Sequence, residues 1–570
     1  MVQRYLIKGK NFLLSPQTSV LSAASVIMVM LVAARVLGVV NKFVLAHYFA
    51  LDDVSLFWAA FRLPDLVFEI FFFSTFSSAF IPVFTKALKK GNGEAWEIAG
   101  RVVNIGLLIF VPLAVLVGLF ANQIYNFVAP GFSDDQTKTI AQIARILFAA
   151  QGLFIVSYIV TGVLESLRRF LIPALAPVFY NLGIILGTIF LTPYFGIYGP
   201  AIGVVIGAAL HLAIQMPLAF HLGFRFIPRI FPNEGVKKIG KLSLPRFIEL
   251  SFQQVARTVE LNLSSLVSVV SYTYLVYATS LQALPVTLFG VSLAKAALPT
   301  LARLEDNPKE FLRTLLATLY QIVFFVLPLA TILIVLRVPV VRLTYGIANH
   351  FDWEATIQTG LVLSAFAFGV VFQSAVSLLS RAFYALHDTR TPVAVSLVGV
   401  LITIATEVVL IRVFGVPVWG LAAAFSLGVG IQSIVLFYLL VRKIDGISIF
   451  SAVAPIFKHV LAVLPSGAVM FFILKFFDRS VWIKRLAIFT NLDVPFQKFV
   501  LDTRYTFNLI FLTLVVASIG LSIYIAVLYI LRSKELFIFT RLLSEKRFAL
   551  PSSRKRETVA PPPQDSTSTQ

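Results

Sequence analysis

Long apolar runs separated by short polar breaks cover most of the chain. Breaks at charge clusters, Pro/Gly turns and length limits divide it into about fourteen hydrophobic segments. Several are longer than the roughly 20 residues that a helix needs to cross a bilayer, so we expect tilt, kinks or ends that project into water. Transmembrane β-strands would instead alternate in segments of about 10 residues. The predicted segments are 19–50, 54–86, 96–129, 138–165, 171–193, 198–222, 242–271, 273–300, 309–344, 355–386, 391–415, 417–441, 450–476 and 505–531.

The composition supports the same interpretation, an all-α polytopic membrane protein. Of the 570 residues, 58% are hydrophobic and only 13% are charged, and the mean hydropathy is +0.90. A soluble chain of this length would need far more polar surface. The sequence has no cysteine, which excludes a disulfide framework, Cys-rich zinc sites and iron–sulfur ligation. It contains no P-loop, HExxH or G-x-S-x-G motif, and its histidines lack metal spacing, so we predict neither an enzyme nor a bound cofactor.

Lysine and arginine collect in alternate loops, as the positive-inside rule expects. The loops at 86–90 and 225–246 are rich in them, whereas those at 52–53, 133–135 and 349–354 are not. We therefore predict that both termini are cytoplasmic. The formal charge of +20 follows from these loops, and no soluble basic domain is present to bind nucleic acid.

Three stretches outside the regular pattern need separate interpretation. The N-terminus lacks a cleavable signal peptide, so we expect the first helix to act as an uncleaved insertion signal. The loop 477–504 is basic although it falls on the predicted outer side. It is either a short amphipathic interfacial helix, or the last two helices are misplaced. The tail from about Ser552 is polar and proline-bearing, and we expect it to be disordered.

Charged residues inside the predicted segments are the main functional candidates, because each costs on the order of 3 kcal/mol at the bilayer centre. In the second segment, Arg62, Asp65 and Glu69 are spaced i, i+3, i+7 and share one helix face. This stripe is either an internal ion-pair network, in which Arg62 reaches Asp65, or the lining of a cavity.

The first segment carries Arg35 and Lys42, seven residues apart and so on one face, with Asn41 beside them. No acid lies within a turn of them on the same helix. This pattern favours a water-filled cavity or an anionic ligand.

The seventh segment contains a continuous polar seam, which cannot face lipid. Glu249, Gln253, Arg257 and Glu260 lie at i, i+4, i+8 and i+11. Such a seam faces a cavity or another helix, where hydrogen bonds and charged partners offset the desolvation.

The eleventh segment has one acid, Glu407, with Thr403 one turn before it. A lone buried carboxylate is often neutral and simply packed. It is also the hard oxygen ligand that a proton or sodium site needs. Both interpretations stay open on the residues alone.

Six stretches resemble the MurJ/MviN family of lipid II flippases, which belong to the MOP (multidrug/oligosaccharidyl-lipid/polysaccharide) exporter superfamily. They occur in the family's order over residues 18–530, and fourteen helices is the family's count. The stretches are ARVLGVVNKFVLAHYF (34–49), AAFRLPDL (59–66), SSAFIPVF (77–84), RRFLIPALAPVFYN (168–181), LPVTLFGVSLAKAALPTLA (284–302) and FYALHDTRTPV (383–393).

The resemblance implies two six-helix lobes in a V around a central cavity, plus two C-terminal helices that flank a groove for a polyprenyl tail. The cavity would hold the headgroup of lipid II, an undecaprenyl-diphosphate-linked disaccharide peptide, in the inner (cytoplasmic) membrane among the membrane lipids. Rocking of the lobes would carry the headgroup outward. The implied division is a tail at 1–18, lobes at 19–222 and 242–441 with a basic linker at 223–241, extra helices at 450–531, and a basic tail at 532–570.

The chain departs from the family's usual cationic set. Asn41 stands at the position of a second first-helix arginine, Phe68 at that of a second-helix arginine, Phe73 at that of an acid, and about Ser280 at that of an eighth-helix arginine. Only Arg35 of that cluster is kept.

Other cations on the same helix faces are candidates to replace the missing ones, because the planar, permanently charged fork of arginine binds diphosphate oxygens bidentately. These candidates are Lys42, Arg62 and Arg257. The substrate-binding candidates are Arg35, Asn41, Lys42, Arg62, Asp65, Glu69 and Arg257.

The family resemblance also implies an ion site among the seventh, eleventh and twelfth helices. Glu260, Thr403 and Glu407 fall at the corresponding positions, which would suit Na⁺ or H⁺ as the coupling ion. Two alternative functions stay open: a MATE-like or O-antigen-type exporter of another amphiphile, whose relatives usually have twelve helices, and a non-transporting membrane scaffold with a degenerate cavity.

Overall fold

The computed structural model describes residues 20–70, 79–224, 227, 229–444, 449–477 and 506–538. Throughout these ranges every regular element is a helix. Within them, 11 helices are long and apolar enough to cross a membrane. They match all the predicted segments except 19–50, 54–86 and 242–271, which are the segments that carry the charged faces. The prediction of an all-α polytopic membrane protein is confirmed.

The helices are numbered here in chain order. They are α1 (Val20–Tyr48), α2 (Leu51–Ala60), α3 (Arg62–Phe68), α4 (Ile81–Leu88), α5 (Asn92–Leu119), α6 (Ala121–Val128), α7 (Asp134–Ser166), α8 (Leu171–Phe195), α9 (Tyr198–Ala213), α10 (Met216–His221), α11 (Glu234–Val267), α12 (Ser271–Pro285), α13 (Ser292–Arg303), α14 (Pro308–Val335), α15 (Arg337–Thr344), α16 (Trp353–Ala385), α17 (Arg390–Val408), α18 (Trp419–Ile444), α19 (Ile449–Phe477) and α20 (Thr506–Ile530). Short π-helical turns follow α12 (Val286–Val291) and α17 (Val409–Val413).

Several long helices begin at side chains that cap their first free N–H groups. At α7 the Ser133 hydroxyl accepts from the Gln136 N–H at 3.3 Å, while the Gln136 side chain accepts from the Ser133 N–H at 2.9 Å, a capping box. Asn233 caps α11 and Asp352 caps α16 in the simpler one-bond form. These polar caps lie at loop ends, where the hydropathy pattern places the segment boundaries.

Small residues let neighbouring helices approach closely in the first half of the chain. A Cβ atom added to Gly183 of α8 would lie 2.3 Å from the Cα of Gly207 in α9, and one added to Gly187 would lie 2.3 Å from the Cα of Gly203. Larger residues would push the two helices apart, since membrane helices gain their stability mainly from such close contact. Helices α8 and α9 also pack on α1 and α7, respectively.

The second half of the chain forms its own helix group. Helix α16 lies at its centre and packs on α12, α14 and α18, while α17 packs on α11 and α18. We call α1–α10 the N-terminal lobe and α11–α18 the C-terminal lobe. The exact boundaries at 222 and 242 stay predictions.

The two lobes are joined at one end of the bundle. The Thr273 hydroxyl donates to the Leu51 carbonyl at 3.0 Å, and the His350 N–H donates to the Ala46 carbonyl at 3.1 Å. The Gly131 N–H donates to the Ser265 hydroxyl at 3.2 Å. We call this region, residues 42–51, 127–133, 262–277 and 345–353, the closed end.

Helices α19 and α20 pack on each other and on α14. The Ser466 hydroxyl donates to the Gly520 carbonyl at 2.7 Å, and the Tyr524 hydroxyl donates to the Phe324 carbonyl of α14 at 3.1 Å. The pair is therefore attached to the C-terminal lobe. The tail 1–18, Phe73, the tail from Ser552 and all of the loop 477–504 except Phe477 lie outside the described residues.

Candidate functional site

A chain of hydrogen-bonded side chains crosses between the lobes halfway along the bundle. Arg62 of α3 donates through Nη2 to the amide oxygen of Gln254 in α11, and the Gln254 amide nitrogen donates to Glu69 Oε2. Arg257, one turn further along α11, lies 3.5 Å from the same carboxylate oxygen. We call these four residues the charged junction. It brings together three of the predicted substrate-binding residues.

The stripe on the second segment is therefore partnered mainly with other helices. Asp65 accepts a 2.7 Å hydrogen bond from the Gln151 amide of α7, and Arg62 and Asp65 form no ion pair within the described part of the chain. The interpretation of the stripe as an internal ion-pair network is thus wrong for these two residues. Arg62 is almost completely buried, and its partner is in the other lobe.

The cations of α1 differ in their surroundings. The Lys42 ammonium lies 4.9 Å from the centre of the Trp58 ring, a cation–π contact. Arg35 is exposed, and it has no hydrogen bond or ion pair to any described residue. Asn41 is buried, and its Oδ1 atom also lacks a partner among them. Of these three residues, only Arg35 offers an unpaired charge.

A cavity of about 430 Å³ lies beside the charged junction, within the C-terminal lobe. It follows α17 from Pro392 in the first turn to Glu407 in the last, a length of about 22 Å. Pro392 and Tyr384 lie at the end of the bundle opposite the closed end. The polar residues that line it are Gln253, Arg257, Glu260, Thr279, Gln282, Gln373, Ser377, Ser380, Tyr384, Ser396, Thr403, Glu407 and Gln432.

All three predicted ion-binding residues line this cavity. Glu407 is 4% exposed, and its Oε2 atom has no hydrogen-bond partner among the described residues. The Thr403 hydroxyl donates to the Gly399 carbonyl at 3.0 Å. A Cβ added to Gly428 of α18 would lie 1.9 Å from Thr403 Oγ1, so only glycine lets α18 pack this closely on the threonine.

The groups of this cavity that could ligate an ion fit a small hard cation or a proton better than a transition metal. They are Glu407, Glu260 and hydroxyl groups, all oxygen donors. Within the described residues, no group of three or more His, Cys, Asp or Glu side chains is placed to hold a metal ion.

Several residues of the site are glutamines, which the pattern of charged residues does not predict. The predicted seam on α11 passes through Gln253, which lines the cavity, whereas its neighbour Gln254 joins the lobes. The spacing of three between Gln254 and Arg257 is the sequence signal that would have put both on one face. The Glu249 side chain is not among those that the structure describes.

Comparison with known sequences identifies related proteins. The model of the family described as "Lipid II flippase MurJ" matches residues 45–490. The chain is 28% identical over 491 residues to the probable lipid II flippase MurJ of Buchnera aphidicola subsp. Acyrthosiphon pisum (strain APS), covering 84% of this chain and 94% of that protein. It is 25% identical over 428 residues to the protein of the same name from Rhizobium meliloti (strain 1021), covering 72% and 78%.

Comparison with solved structures shows the same fold. A structure described as lipid II flippase MurJ in an inward closed conformation gives a TM-score of 0.68 at 23% identity, covering 88% of this chain and 99% of that one. An inward-facing multidrug resistance MATE family transporter of the MOP superfamily gives 0.60 at 14% identity, covering 72% and 94%.

Proposed function

Because the chain belongs to the lipid II flippase MurJ family, we propose that it moves lipid II across the cytoplasmic membrane by alternating access, for peptidoglycan synthesis. As a multi-pass membrane transporter, it neither makes nor breaks covalent bonds in its substrate. Its substrate is an undecaprenyl-diphosphate-linked disaccharide peptide, and the surrounding membrane lipids are its other partners. Both termini are cytoplasmic in this proposal, as the basic loops indicate.

The arrangement of the lobes supports an inward-facing state. Hydrogen bonds between the lobes occur at the closed end, which the charge pattern assigns to the outer face, and at the charged junction halfway along the bundle. The cavity extends to Tyr384 and Pro392 at the opposite, cytoplasmic end. A headgroup made in the cytoplasm would enter there and leave after the closed end separates.

The observation that carries the proposal is the weakly held guanidinium of Arg257 beside the cavity. Its side chain is 51% exposed and its contact with Glu69 is 3.5 Å long. A diphosphate can therefore replace Glu69 as the partner of Arg257, with shorter, bidentate hydrogen bonds. Arg62 is buried and already bonded to Gln254. We therefore assign Arg257 and the exposed Arg35 to the diphosphate, and Arg62 to positioning the junction.

The two carboxylates of the stripe have supporting roles in this mechanism. Glu69 holds Arg257 while no substrate is bound, and it keeps only its hydrogen bond from Gln254 when the diphosphate takes Arg257. Asp65, bonded to Gln151, balances the charge of Arg62. Lys42 and Asn41 lie further along α1, where they add positive potential and a free amide oxygen.

We propose that Glu260, Thr403 and Glu407 hold a coupling ion, Na⁺ or H⁺, that moves with the transport cycle. They line the same cavity as Arg257, so ion and headgroup share one compartment. Binding of either species then changes the electrostatic free energy of the other, which is the physical requirement for coupling.

A MATE-like exporter of another amphiphile is the second candidate, favoured only by the shared fold. The presence of α19 and α20 next to α14 favours the lipid substrate instead, because these helices lie beyond the transport core and offer their apolar outer surfaces to a polyprenyl tail.

Rescue in cells tests the proposal. The protein is expressed in a bacterium whose own lipid II flippase is switched off, and lipid II at the outer face is measured with an impermeant lipid II-binding peptide. Wild type is expected to restore exposure, whereas Arg257→Ala and Arg35→Ala should not. Arg313→Ala is the matched control, since the Arg313 side chain is 80% exposed on α14.

The alternatives give different results. If a correctly inserted wild type restores no lipid II exposure, the exporter or scaffold function replaces this proposal. If Arg257→Ala and Arg35→Ala both rescue as well as Arg313→Ala, the assigned cations do not bind the diphosphate.

A further inference from the structure

Beyond the charged junction, most of the polar side chains that line the cavity of the C-terminal lobe are neutral. Four glutamine amides from four different helices face one compartment, together with hydroxyl groups of α12, α16 and α17. The glutamines are Gln253 of α11, Gln282 of α12, Gln373 of α16 and Gln432 of α18. In a helix bundle surrounded by lipid, such groups are costly unless they serve a polar occupant.

Two of these amides have buried oxygens without a partner. Gln282 is only 4% exposed, and neither its Oε1 atom nor that of Gln373 accepts a hydrogen bond from any described residue. A buried acceptor without a donor costs free energy, and in native proteins it marks the place of a bound molecule or water. These two amide oxygens therefore lack donors among the described residues, and hydroxyl or amide N–H groups of a ligand would supply them.

The same compartment offers an apolar surface. The rings of Phe366 and Phe425 both line the cavity, with centroids 5.5 Å apart and planes at 74°. A wall of amides and hydroxyls beside aromatic rings suits a sugar, which has polar edges and apolar C–H faces. The volume of about 430 Å³ lies in the range of small-ligand sites.

The position of the amides relative to the charged junction sets which sugar would bind. Gln253 precedes Arg257 by four residues on α11, so the two side chains are about 6 Å apart along the same face. This spacing is comparable to the separation between a diphosphate and the sugar ring bonded directly to it.

We propose that the amide wall formed by Gln253, Gln282, Gln373 and Gln432 binds the N-acetylated sugar attached directly to the diphosphate of the lipid substrate. The inference rests on the proposed function, because it assumes that a polyprenyl diphosphate occupies Arg257. Sugar hydroxyl and acetamide N–H groups donate to the amide oxygens of Gln282 and Gln373. The cations then recognise the diphosphate, and the glutamines distinguish a glycosylated lipid from a bare one.

The test measures binding of two lipids to the purified full-length protein in nanodiscs. The lipids are undecaprenyl diphosphate and undecaprenyl diphosphate that carries one N-acetylhexosamine. Wild type should bind the glycosylated lipid about tenfold more tightly, the effect of one or two well-made buried hydrogen bonds. In Gln282→Leu and Gln373→Leu this ratio should approach one, while the affinity for the bare lipid is unchanged.

Two further variants separate a local effect from misfolding. Gln358→Leu is the matched control on α16, because that amide bonds to Glu354 near the start of the helix and lies outside the cavity. It should keep the wild-type ratio. Gln373→Asn keeps an amide but shortens it, so it should give an intermediate ratio.

Each remaining outcome counts against the inference. Equal affinity of wild type for the two lipids, with tight binding of both, removes the sugar site and leaves the flippase function standing. The same conclusion follows if Gln282→Leu and Gln373→Leu keep the wild-type ratio. Failure of wild type to bind either lipid overturns the proposed function itself, and this inference with it.

Discussion

The Tyr277 hydroxyl donates a 2.6 Å hydrogen bond to the backbone carbonyl of Lys42. This contact joins the C-terminal lobe to the first helix of the N-terminal lobe at the closed end. Tyr277 is fully buried, and its ring lies against those of Tyr345 and Phe351, with centroids 4.7 and 5.8 Å away. The cluster must separate whenever the outer side opens, so its strength sets the balance between the two states.

Removal of that hydroxyl should favour the outward-open state. Tyr277→Phe keeps the ring packing and removes one buried hydrogen bond, about 1 kcal/mol, which shifts the equilibrium roughly fivefold. The chain has no cysteine, so Ala348→Cys, a position buried at the closed end, reports opening by its reaction with an impermeant thiol reagent. Tyr194→Phe is the control, because Tyr194 is 81% exposed. An unchanged labelling rate in Tyr277→Phe would show that this bond does not hold the outer side closed.

The charged junction should depend strongly on one neutral residue. Gln254→Leu leaves Arg62 and Glu69 without their shared partner inside the bundle, and we expect a loss of about 2 kcal/mol in the free energy of unfolding. Gln253→Leu, its neighbour at the cavity wall, should cost much less. The comparison is made by denaturation of the purified variants in the same detergent. Equal destabilisation by the two substitutions would contradict the assignment of Gln254 as the link between the lobes.

The sequence predicted the helices well because the bilayer enforces long apolar runs, and the seam on α11 correctly indicated a polar compartment. It did not predict which side chains contact each other across the fold. Nothing local to Arg62 indicates that it bonds to Gln254, which lies 192 residues away, since this contact depends on how two lobes meet. Lys42 carries a charge like that of Arg35, yet only the folded chain puts Trp58 beneath it. The seam included Gln253, but Gln282, Gln373 and Gln432 were not predicted, because each stands alone and uncharged in its own segment and only the folded chain brings them to one cavity.

Asp388, in the loop before α17, should make the stability of the folded protein depend on pH under acidic conditions. Asp388 Oδ1 accepts from the Thr391 N–H at 3.0 Å, and its other oxygen pairs with Lys443 at the end of α18. Burial opposes ionisation, but the hydrogen bonds from Lys443 and Thr391 outweigh it and lower the pKa of Asp388 to about 2. Since the ordinary pKa is 3.8, the folded state favours the ionised form. Its contribution to stability is complete above pH 3.8 and disappears as the pH falls through 2.

Asp388→Asn should therefore destabilise the purified protein by about 1 kcal/mol near neutral pH, the usual net value of a lost hydrogen bond. The difference from wild type should stay constant between pH 5 and 8 and shrink below about pH 4. Thermal melting midpoints across this range provide the measurement. Asp306→Asn, at an exposed position in the loop before α14, is the control and should show no such trend. A difference that grows on acidification would contradict the sign of the argument.

Glu407 offers the sharpest distinction between a structural acid and a coupling site. Its carboxylate is buried against the cavity, with one oxygen unpartnered within the described residues, and its glutamine variant has nearly the same size and shape. If the group binds the coupling ion, Glu407→Gln should fold and bind substrate normally, yet lose its response to an imposed Na⁺ or H⁺ gradient. The expected loss is about tenfold in gradient-driven transport, in line with typical coupling free energies.

Transport into proteoliposomes, with each gradient applied separately, identifies the ion as well as the residue. Gln358→Leu is the control, because that amide lies outside the cavity and bonds to Glu354, so its loss should leave the gradient response intact. Persistence of the wild-type response in Glu407→Gln would favour a neutral, packed acid. The coupling ion would then have to bind elsewhere in the chain, with Glu260 on the facing wall of the cavity as the next carboxylate to replace.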